Sequence, residues 1–257
     1  MKRRAWYLPW LLPVGLLLAW QAATASGLLS NHILPTLSAV ASAGYRLALT
    51  GELFQDIWVS TARAAVGFAI GGAIGFALGL LNGMSAGASR LFDSTVQMLR
   101  NIPHLALIPL VILWFGIDEQ AKIFLVAFGV FFPIYVNTYH GVRTVDAGLI
   151  EMGRVYGLKR GALFRQIVFP GALPSILVGV RYALGFTWLT LIVAETISAQ
   201  SGIGYMTMNA REFLQTDVVV LGILVYALLG KLADWVAVRA ERRLLAWHPS
   251  FRAGAVL

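Results

Sequence analysis

The sequence predicts an all-α, polytopic membrane protein with about six transmembrane helices, and three observations support this prediction. Of its 257 residues, 58% are hydrophobic and only 12% are charged, about half the charged share of an average soluble domain. Several apolar runs approach the roughly 20 residues that a helix needs to cross a bilayer. The 20 Lys and Arg residues, against 12 Asp and Glu, concentrate at the chain ends and in particular links between those runs.

This composition excludes several classes of protein. A soluble domain this apolar would lack the polar residues that cover a surface, and intrinsic disorder requires low hydrophobicity. The chain has no cysteine, which rules out disulfide scaffolds, Cys-ligated zinc sites and thiol catalysis. The four histidines show no metal-ligand spacing, and no basic soluble segment is long enough to bind nucleic acid.

Six segments are predicted to span the membrane. In chain order they are Leu8–Ser26, Ile57–Gly83, Ser94–Gly116, Lys122–Gly141, Ser175–Ser198 and Val218–Val238. The third is unusual because its apolar part, Leu105–Gly116, is only 12 residues long. It reaches spanning length only by including the preceding stretch, which contains Arg100, Asn101 and His104.

The basic residues predict the orientation of these spans. Short cytoplasmic loops carry an excess of Lys and Arg. In this chain such residues lie at the N-terminus, after span two, between spans four and five, and in the C-terminal tail. Six spans then place both termini in the cytoplasm. The alternative is a cleavable signal peptide, since Lys2, Arg3 and Arg4 precede an apolar stretch; cleavage would leave five spans and an external N-terminus.

Three regions follow from this plan. Residues 1–55 hold the first span and an external segment, residues 56–240 hold the other spans, and residues 241–257 form a basic cytoplasmic tail. In the external segment, Pro35 is predicted to start a helix and Gly51 to stop it. This helix is interpreted as amphipathic and lying at the membrane interface, with a docking surface for an external partner as the alternative.

Span two carries a glycine stripe with a strict interval of four residues: Gly67, Gly71, Gly75, Gly79, Gly83 and Gly87. Small residues at this interval let helix backbones approach closely in lipid. Four residues advance about 400° around a helix, so the stripe winds slowly and is able to meet more than one neighbour. The stripe predicts helix packing, either within the chain or with a second copy.

The link between spans four and five, residues 146–170, has a helical pattern. Leu149, Met152, Gly153 and Tyr156 share one helical face, and Gly157 stands where a helix C-cap belongs. A second short helix is predicted around Ile167, ending before or at Pro170. Two short helices with basic residues at their rim are typical of a contact with a partner protein.

The spacing of Glu151, Gly157, Ile167 and Pro170 in this link resembles the "EAA" loop of bacterial ABC importer permeases. Met152 and Gly153 replace alanines that are frequent there, and Phe169 replaces a leucine. Residues 99–110, 114–116, 191–196 and 209–217 resemble the permeases of aliphatic sulfonate importers, so the likeness covers nearly the whole chain from Trp10 to about Ala240. Taurine, nitrate and pyrimidine-precursor permeases have similar frameworks and remain alternative assignments.

The resemblance implies a type I ABC importer permease in the bacterial inner membrane. Such a permease works as two copies, with two cytoplasmic ATPase subunits and an external solute-binding protein. The ATPase subunits use ATP and dock on the EAA loop, which here contains Glu151, Met152, Gly153, Gly157, Ile167 and Pro170. The chain has no Gly-x-x-x-x-Gly-Lys-Ser/Thr motif of its own, so we expect it to bind no cofactor and to hydrolyse nothing.

Ionisable or polar residues at membrane depth are candidates for the solute path: Asn101, His104, Arg181 and Glu195. Each also has a structural interpretation. Asn101 and His104 would satisfy backbone freed by Pro103, Arg181 would extend its charge to the membrane surface, and Glu195 would fix a neighbouring loop. No catalytic constellation is found. An ion-coupled secondary transporter or a membrane enzyme would be the competing classes of protein.

Overall fold

The computed structural model describes residues 8–27, 30 and 33–248, and this part of the chain is helical without strands. Its ten helices are α1 (Leu8–Ala25), α2 (Leu37–Leu49), α3 (Glu52–Met84), α4 (Ala86–Arg100), α5 (His104–Phe115), α6 (Glu119–Arg143), α7 (Ala147–Val155), α8 (Arg160–Ile197), α9 (Ile203–Glu212) and α10 (Thr216–Leu244). The basic residues Lys2, Arg3 and Arg4 of the signal peptide considered as the alternative lie outside the described residues.

Four of these helices, α3, α6, α8 and α10, are long and apolar enough to cross a membrane. The pair α4 and α5 also passes this test when taken together, although it bends by 83° at the break. The apolar part of α1, Leu11–Ala25, is shorter than a usual span. The described residues therefore support four or five spans, and the expected sixth depends on α1.

The bend between α4 and α5 has a local cause. Pro103 has no N–H to donate and disfavours helical backbone at the residue before it, so α4 ends at Arg100 and α5 begins at His104. Helices α3 and α6 run parallel, because Gly67 lies against Val126 and Gly83 against Val142. The bent pair must therefore return the chain from one end of the bundle to the other, as a span does.

The glycine stripe packs within the chain. A side chain at Gly71 would collide with the backbone carbonyl of Ala127, and one at Gly75 would lie 2.5 Å from the carbonyl oxygen of Phe131. The stripe thus forms the close contact of α3 with α6 from Gly67 to Gly83. Gly87, its last member, lies beyond the end of α3. A side chain there would have only the Ser85 hydroxyl nearby, at 3.8 Å. One partner helix, rather than several, accounts for the pattern.

The second helix of the link does not end at Pro170, contrary to the sequence prediction. Helix α8 begins at Arg160 and continues past Pro170 as one long helix to Ile197. A π-helical turn, Phe164–Val168, precedes the proline. Proline lacks the N–H that an α-helix would use and would crowd the preceding turn; a wider turn is a recognised way to absorb such an interruption.

Two predicted region boundaries fall inside helices. The limit between residues 55 and 56 lies within α3, and the limit between residues 240 and 241 lies within α10. The helix expected after Pro35 is α2, whose first turn is capped by Thr36 accepting the N–H of Ala39. Gly51 follows it with φ of +81°, a conformation that glycine adopts at little cost. This turn sends the chain directly into α3.

Candidate coupling surface and solute path

Helix α7 is fixed at both of its ends by local hydrogen bonds. At its start, the Asp146 carboxylate accepts the N–H of Gly148 at 2.7 Å. At its end, Gly157 has φ of +78°, and the N–H of Leu158 donates to the carbonyl of Gly153 at 2.9 Å. This is the glycine-dependent helix ending known as the Schellman motif. The direction in which the chain leaves α7 is therefore set by its own backbone.

Gly153 holds α7 against the beginning of α8. It is buried, and a side chain there would lie 2.6 Å from Ile167 and 2.7 Å from Leu163. Ile167 thus contributes to the contact between the two helices. Pro170 lies near the start of the α-helical part of α8, directly after the π-helical turn. Proline has no N–H to donate at this position.

The opposite side of α7 carries uncovered apolar side chains. We call this set the α7 surface; it consists of Leu149, Met152, Val155 and Tyr156, which are 47%, 48%, 86% and 80% exposed. Glu151, Arg154 and Lys159 are exposed beside it. The face predicted from the sequence is therefore divided, since Gly153 packs inward while Leu149, Met152 and Tyr156 point outward. An apolar patch with a charged rim is the usual form of a protein contact.

Glu195 lies at the other end of the bundle, in a buried polar cluster that joins α3, α8, α9 and α10. Both of its carboxylate oxygens are 2.8 Å from the Ser60 hydroxyl. The Arg63 guanidinium donates to it at 2.7 Å, and the Tyr226 hydroxyl at 2.7 Å. Arg63 also donates to Glu119 at 2.6 Å, at the start of α6. A buried charge is tolerated when it is paired and hydrogen-bonded in this way.

The same cluster caps the start of α9. The N–H groups of the first turn of a helix have no partner within the helix. Here Asp56 accepts the N–H of Gly202 at 2.8 Å, Ser60 that of Ile203 at 3.0 Å, and Glu195 that of Gly204 at 2.9 Å. The carboxylates also face the positive end of the helix dipole. Glu195 is thus placed as an anchor of the loop before α9, with its side chain buried.

His104 lines a cleft of about 260 Å³ beside the bend between α4 and α5. The cleft is also lined by Arg100, Phe132, Pro133, Asn137 and Phe186. His104 Nε2 lies 3.2 Å from the Thr190 hydroxyl, and its ring meets Phe186 edge-on at 6.1 Å. A cationic group, an amide and aromatic walls therefore meet in one concave site.

The remaining candidate path residues lie elsewhere. Asn101 is exposed at the C-terminus of α4 and is not part of the cleft lining. Arg181 lines a separate cleft and is paired with Asp234 at 2.7 Å. The structure therefore places the four predicted path residues at different positions and does not bring them together.

Sequence reasoning missed Arg63, Ser60 and Tyr226 in the buried cluster, and Arg100 and Asn137 in the cleft. The one available signal was charge inside or beside an apolar run, which both arginines show. Their partners are far away along the chain, with 132 residues separating Arg63 from Glu195. No pattern in the sequence connects such pairs.

These features define a class of protein: a polytopic helical membrane protein with an uncovered apolar surface at one end and a bent span beside a polar cleft. Residues 71–246 match the family described as "Binding-protein-dependent transport system inner membrane component". The chain belongs to this family and is a multi-pass inner-membrane permease subunit. Membership implies partner chains, namely a solute-binding protein and an ATPase.

Similar proteins of known sequence agree with this assignment. The chain is 63% identical to the putative aliphatic sulfonates transport permease protein SsuC of Escherichia coli (strain K12), over 95% of this chain and 92% of that protein. It is 44% identical to SsuC of Bacillus subtilis (strain 168), over 97% and 91%. The taurine transport system permease protein TauC of Escherichia coli (strain K12) is 34% identical, over 91% and 86%.

Solved structures support the fold. The inward-facing MetNI methionine ABC transporter matches with a TM-score of 0.61 at 20% identity, covering 76% of this chain and 98% of that one. An amino acid ABC transporter crystallised with histidines matches with a TM-score of 0.64 at 17% identity, covering 77% and 97%. The all-α, type I importer architecture expected from the sequence is confirmed.

Proposed function

We propose that this chain is the permease subunit of an ATP-driven importer that carries aliphatic sulfonates into the bacterial cell. The observation that carries this proposal is the 63% identity to a putative aliphatic sulfonates permease over nearly the whole chain. The lower identity to the taurine permease, 34%, favours alkyl sulfonates over an amino-sulfonate. Taurine, nitrate and pyrimidine-like solutes are the alternatives within the family.

The proposed assembly has two copies of this chain, two cytoplasmic ATPase subunits and one external binding protein in the lipid bilayer. The α7 surface is the proposed contact with the ATPase, which alone binds ATP. Its apolar side chains are uncovered, while Gly153 and Gly157 fix the helix beneath them. A rigid support of this kind would transmit the motion of the ATPase to α8 and its span.

The proposed orientation places α7 and both termini in the cytoplasm, in agreement with the distribution of Lys and Arg. Single cysteines introduced at Ser38 and at Gly161 would test it, because the chain has no native cysteine. We expect an impermeant thiol reagent to label Ser38→Cys from outside intact cells and Gly161→Cys only after the cells are opened. Labelling of both from outside would contradict the orientation.

Transport itself is tested by reconstitution. The permease, its ATPase and its binding protein are placed in proteoliposomes, and uptake of labelled hexanesulfonate and taurine is measured with and without ATP. We expect ATP-dependent uptake of hexanesulfonate that exceeds uptake of taurine and persists when ionophores collapse the ion gradients. Uptake driven by an ion gradient without ATP would instead identify a secondary transporter.

A further inference from the structure

The cleft beside the bend of α4 and α5 contains an arginine with no partner. Among the described residues, the Arg100 side chain has no hydrogen-bond or ion-pair partner. Arg63 in the buried cluster and Arg181 in its own cleft differ, since Arg63 is held by Glu119 and Glu195, and Arg181 by Asp234. The charge of Arg100 is therefore free to bind an anion.

An unpaired arginine side chain is unusual at the position of this cleft. Pro133, which lines it, lies 14 residues after Glu119 and 10 residues before Arg143 in α6, or about 21 Å and 15 Å along a helix. The cleft is thus close to the middle of the bundle. A cation at this depth is costly unless it serves a water-filled path or a ligand. The bend itself supplies the geometry, because it ends α4 at Arg100.

The remaining lining residues of the cleft fit the alkyl chain of an alkyl sulfonate. Phe132, Pro133 and Phe186 are apolar, and Asn137 keeps its side-chain amide beside them, donating to the Pro133 carbonyl at 2.8 Å. Neither Asp nor Glu is among the described lining residues. A solute carrying an ammonium group would therefore find no counter-charge. The volume, about 260 Å³, is slightly below the range for drug-sized ligands, about 300–1,000 Å³.

We infer that this cleft is a sulfonate subsite in the membrane path, in which the Arg100 guanidinium binds the sulfonate oxygens and Phe132 and Phe186 contact the alkyl chain. The inference rests on the proposed function and adds to it a site within the permease. Guanidinium groups suit this task because their planar donors match the oxygens of an oxyanion and their charge is permanent. The subsite selects for an anionic head with an apolar tail.

The test uses the absence of native cysteine. Arg100→Cys is assembled with its ATPase and binding protein in proteoliposomes, and uptake of labelled hexanesulfonate is measured before and after thiol modification. We expect uptake to fall about tenfold or more, as for the loss of a charged hydrogen bond. Aminoethyl methanethiosulfonate, which restores a positive charge, should recover much of it; the sulfonatoethyl reagent, which adds a negative charge, should not.

Controls separate a binding role from a structural one. Arg90→Cys, on the same helix but outside the cleft, should transport normally with either reagent. ATPase stimulation by the loaded binding protein should persist in Arg100→Cys, which shows that the complex is assembled. If that variant does not assemble, Arg100→Lys and Arg100→Gln decide: greater uptake by the lysine variant supports the site, and equal uptake overturns it.

A second variant examines the apolar wall. Phe186→Ala should reduce uptake of hexanesulfonate relative to ethanesulfonate, since the longer chain loses more contact. Normal uptake by Arg100→Cys, or equal recovery with a neutral methyl reagent, would overturn the subsite while leaving the proposed function intact. Failure of the parent protein to transport any alkanesulfonate would overturn both.

Discussion

The two ends of the bundle treat polar and apolar groups in opposite ways. At one end, the Arg63–Glu195 cluster is closed: the carboxylate of Glu195 is bonded by side chains of α3 and α10 and by the backbone of α9. At the other end, the α7 surface leaves four large apolar side chains uncovered. The backbone beneath them is nevertheless fixed by Gly153 and Gly157.

The difference distinguishes an internal anchor from an uncovered apolar surface. A complete polar network gains its stability from partners within the chain, so removing one member leaves the others buried and unpaired. Exposed apolar side chains on a rigid helix gain stability only when another molecule covers them. Substitutions at the first end should therefore damage the fold, and those at the second should damage coupling while the fold survives.

The largest effect is expected for Glu195→Ala. It removes the acceptor for Arg63, Ser60, Tyr226 and the N–H of Gly204, and breaking a buried pair costs about 3–5 kcal/mol. Melting followed by size-exclusion chromatography in detergent should show a large fall in Tm or loss of the folded peak. Glu151→Ala, the same change at an exposed position on α7, should leave Tm unchanged; similar curves for both would refute the comparison.

A smaller but clear loss of stability is expected for Gly71→Leu. Its side chain would collide with the backbone of α6 at Ala127, and overpacking of this kind costs about 1–3 kcal/mol, occasionally more. Gly87→Leu belongs to the same stripe, but its side chain would meet only the Ser85 hydroxyl at an ordinary contact distance, so it should behave like the parent. The measurements are thermal melting and yield of both variants. Equal values for the two would show that the contact between α3 and α6 tolerates a side chain.

Gly157→Val should affect coupling more than stability. A β-branched residue at φ of +78° is strained by roughly 1–2 kcal/mol, which redirects the chain between α7 and α8 without unfolding the spans. We expect ATP-driven uptake to be lost and the ATPase to co-purify poorly. Gly161→Val is the matched control, because it lies in the same link, in open space and without positive φ.

Glu151→Lys extends this test to the rim of the α7 surface. The residue is exposed, so the fold should be unchanged while reversal of its charge disturbs the contact with the ATPase. Uptake and pull-down of the ATPase from the same membranes are the measurements. Normal results in Gly157→Val and Glu151→Lys together would mean that the link is an ordinary connection.

The smallest effect is expected for Arg46→Gln. Arg46 pairs with Asp217 at 3.2 Å, but its side chain is 66% exposed, and such pairs contribute about 0–1 kcal/mol. The Tm should therefore change little, and raised salt should change it equally little. A fall as large as that of Glu195→Ala would show that exposure does not separate weak pairs from the anchor.

The sequence by itself determined features that depend on neighbouring residues or on composition. The apolar runs predicted the long helices, the charge distribution predicted an orientation, and the position of Gly157 predicted a helix ending with positive φ. The interruption at Asn101–Pro103 was visible for the same reason. Each of these features follows from solvation or from the backbone preferences of one or two residues. Neither of these two causes requires knowledge of the packed structure.

Only the tertiary structure decided which distant groups meet. It paired Arg63 with Glu195, set the glycine stripe against α6 within the chain, and placed Arg100 beside Asn137 and Phe186. It also carried α8 through Pro170, where local rules predicted an end. The physical reason is that ion pairs, close backbone contacts and clefts depend on how helices pack in space, while a helix-breaking residue is tolerated when the surrounding turn adjusts.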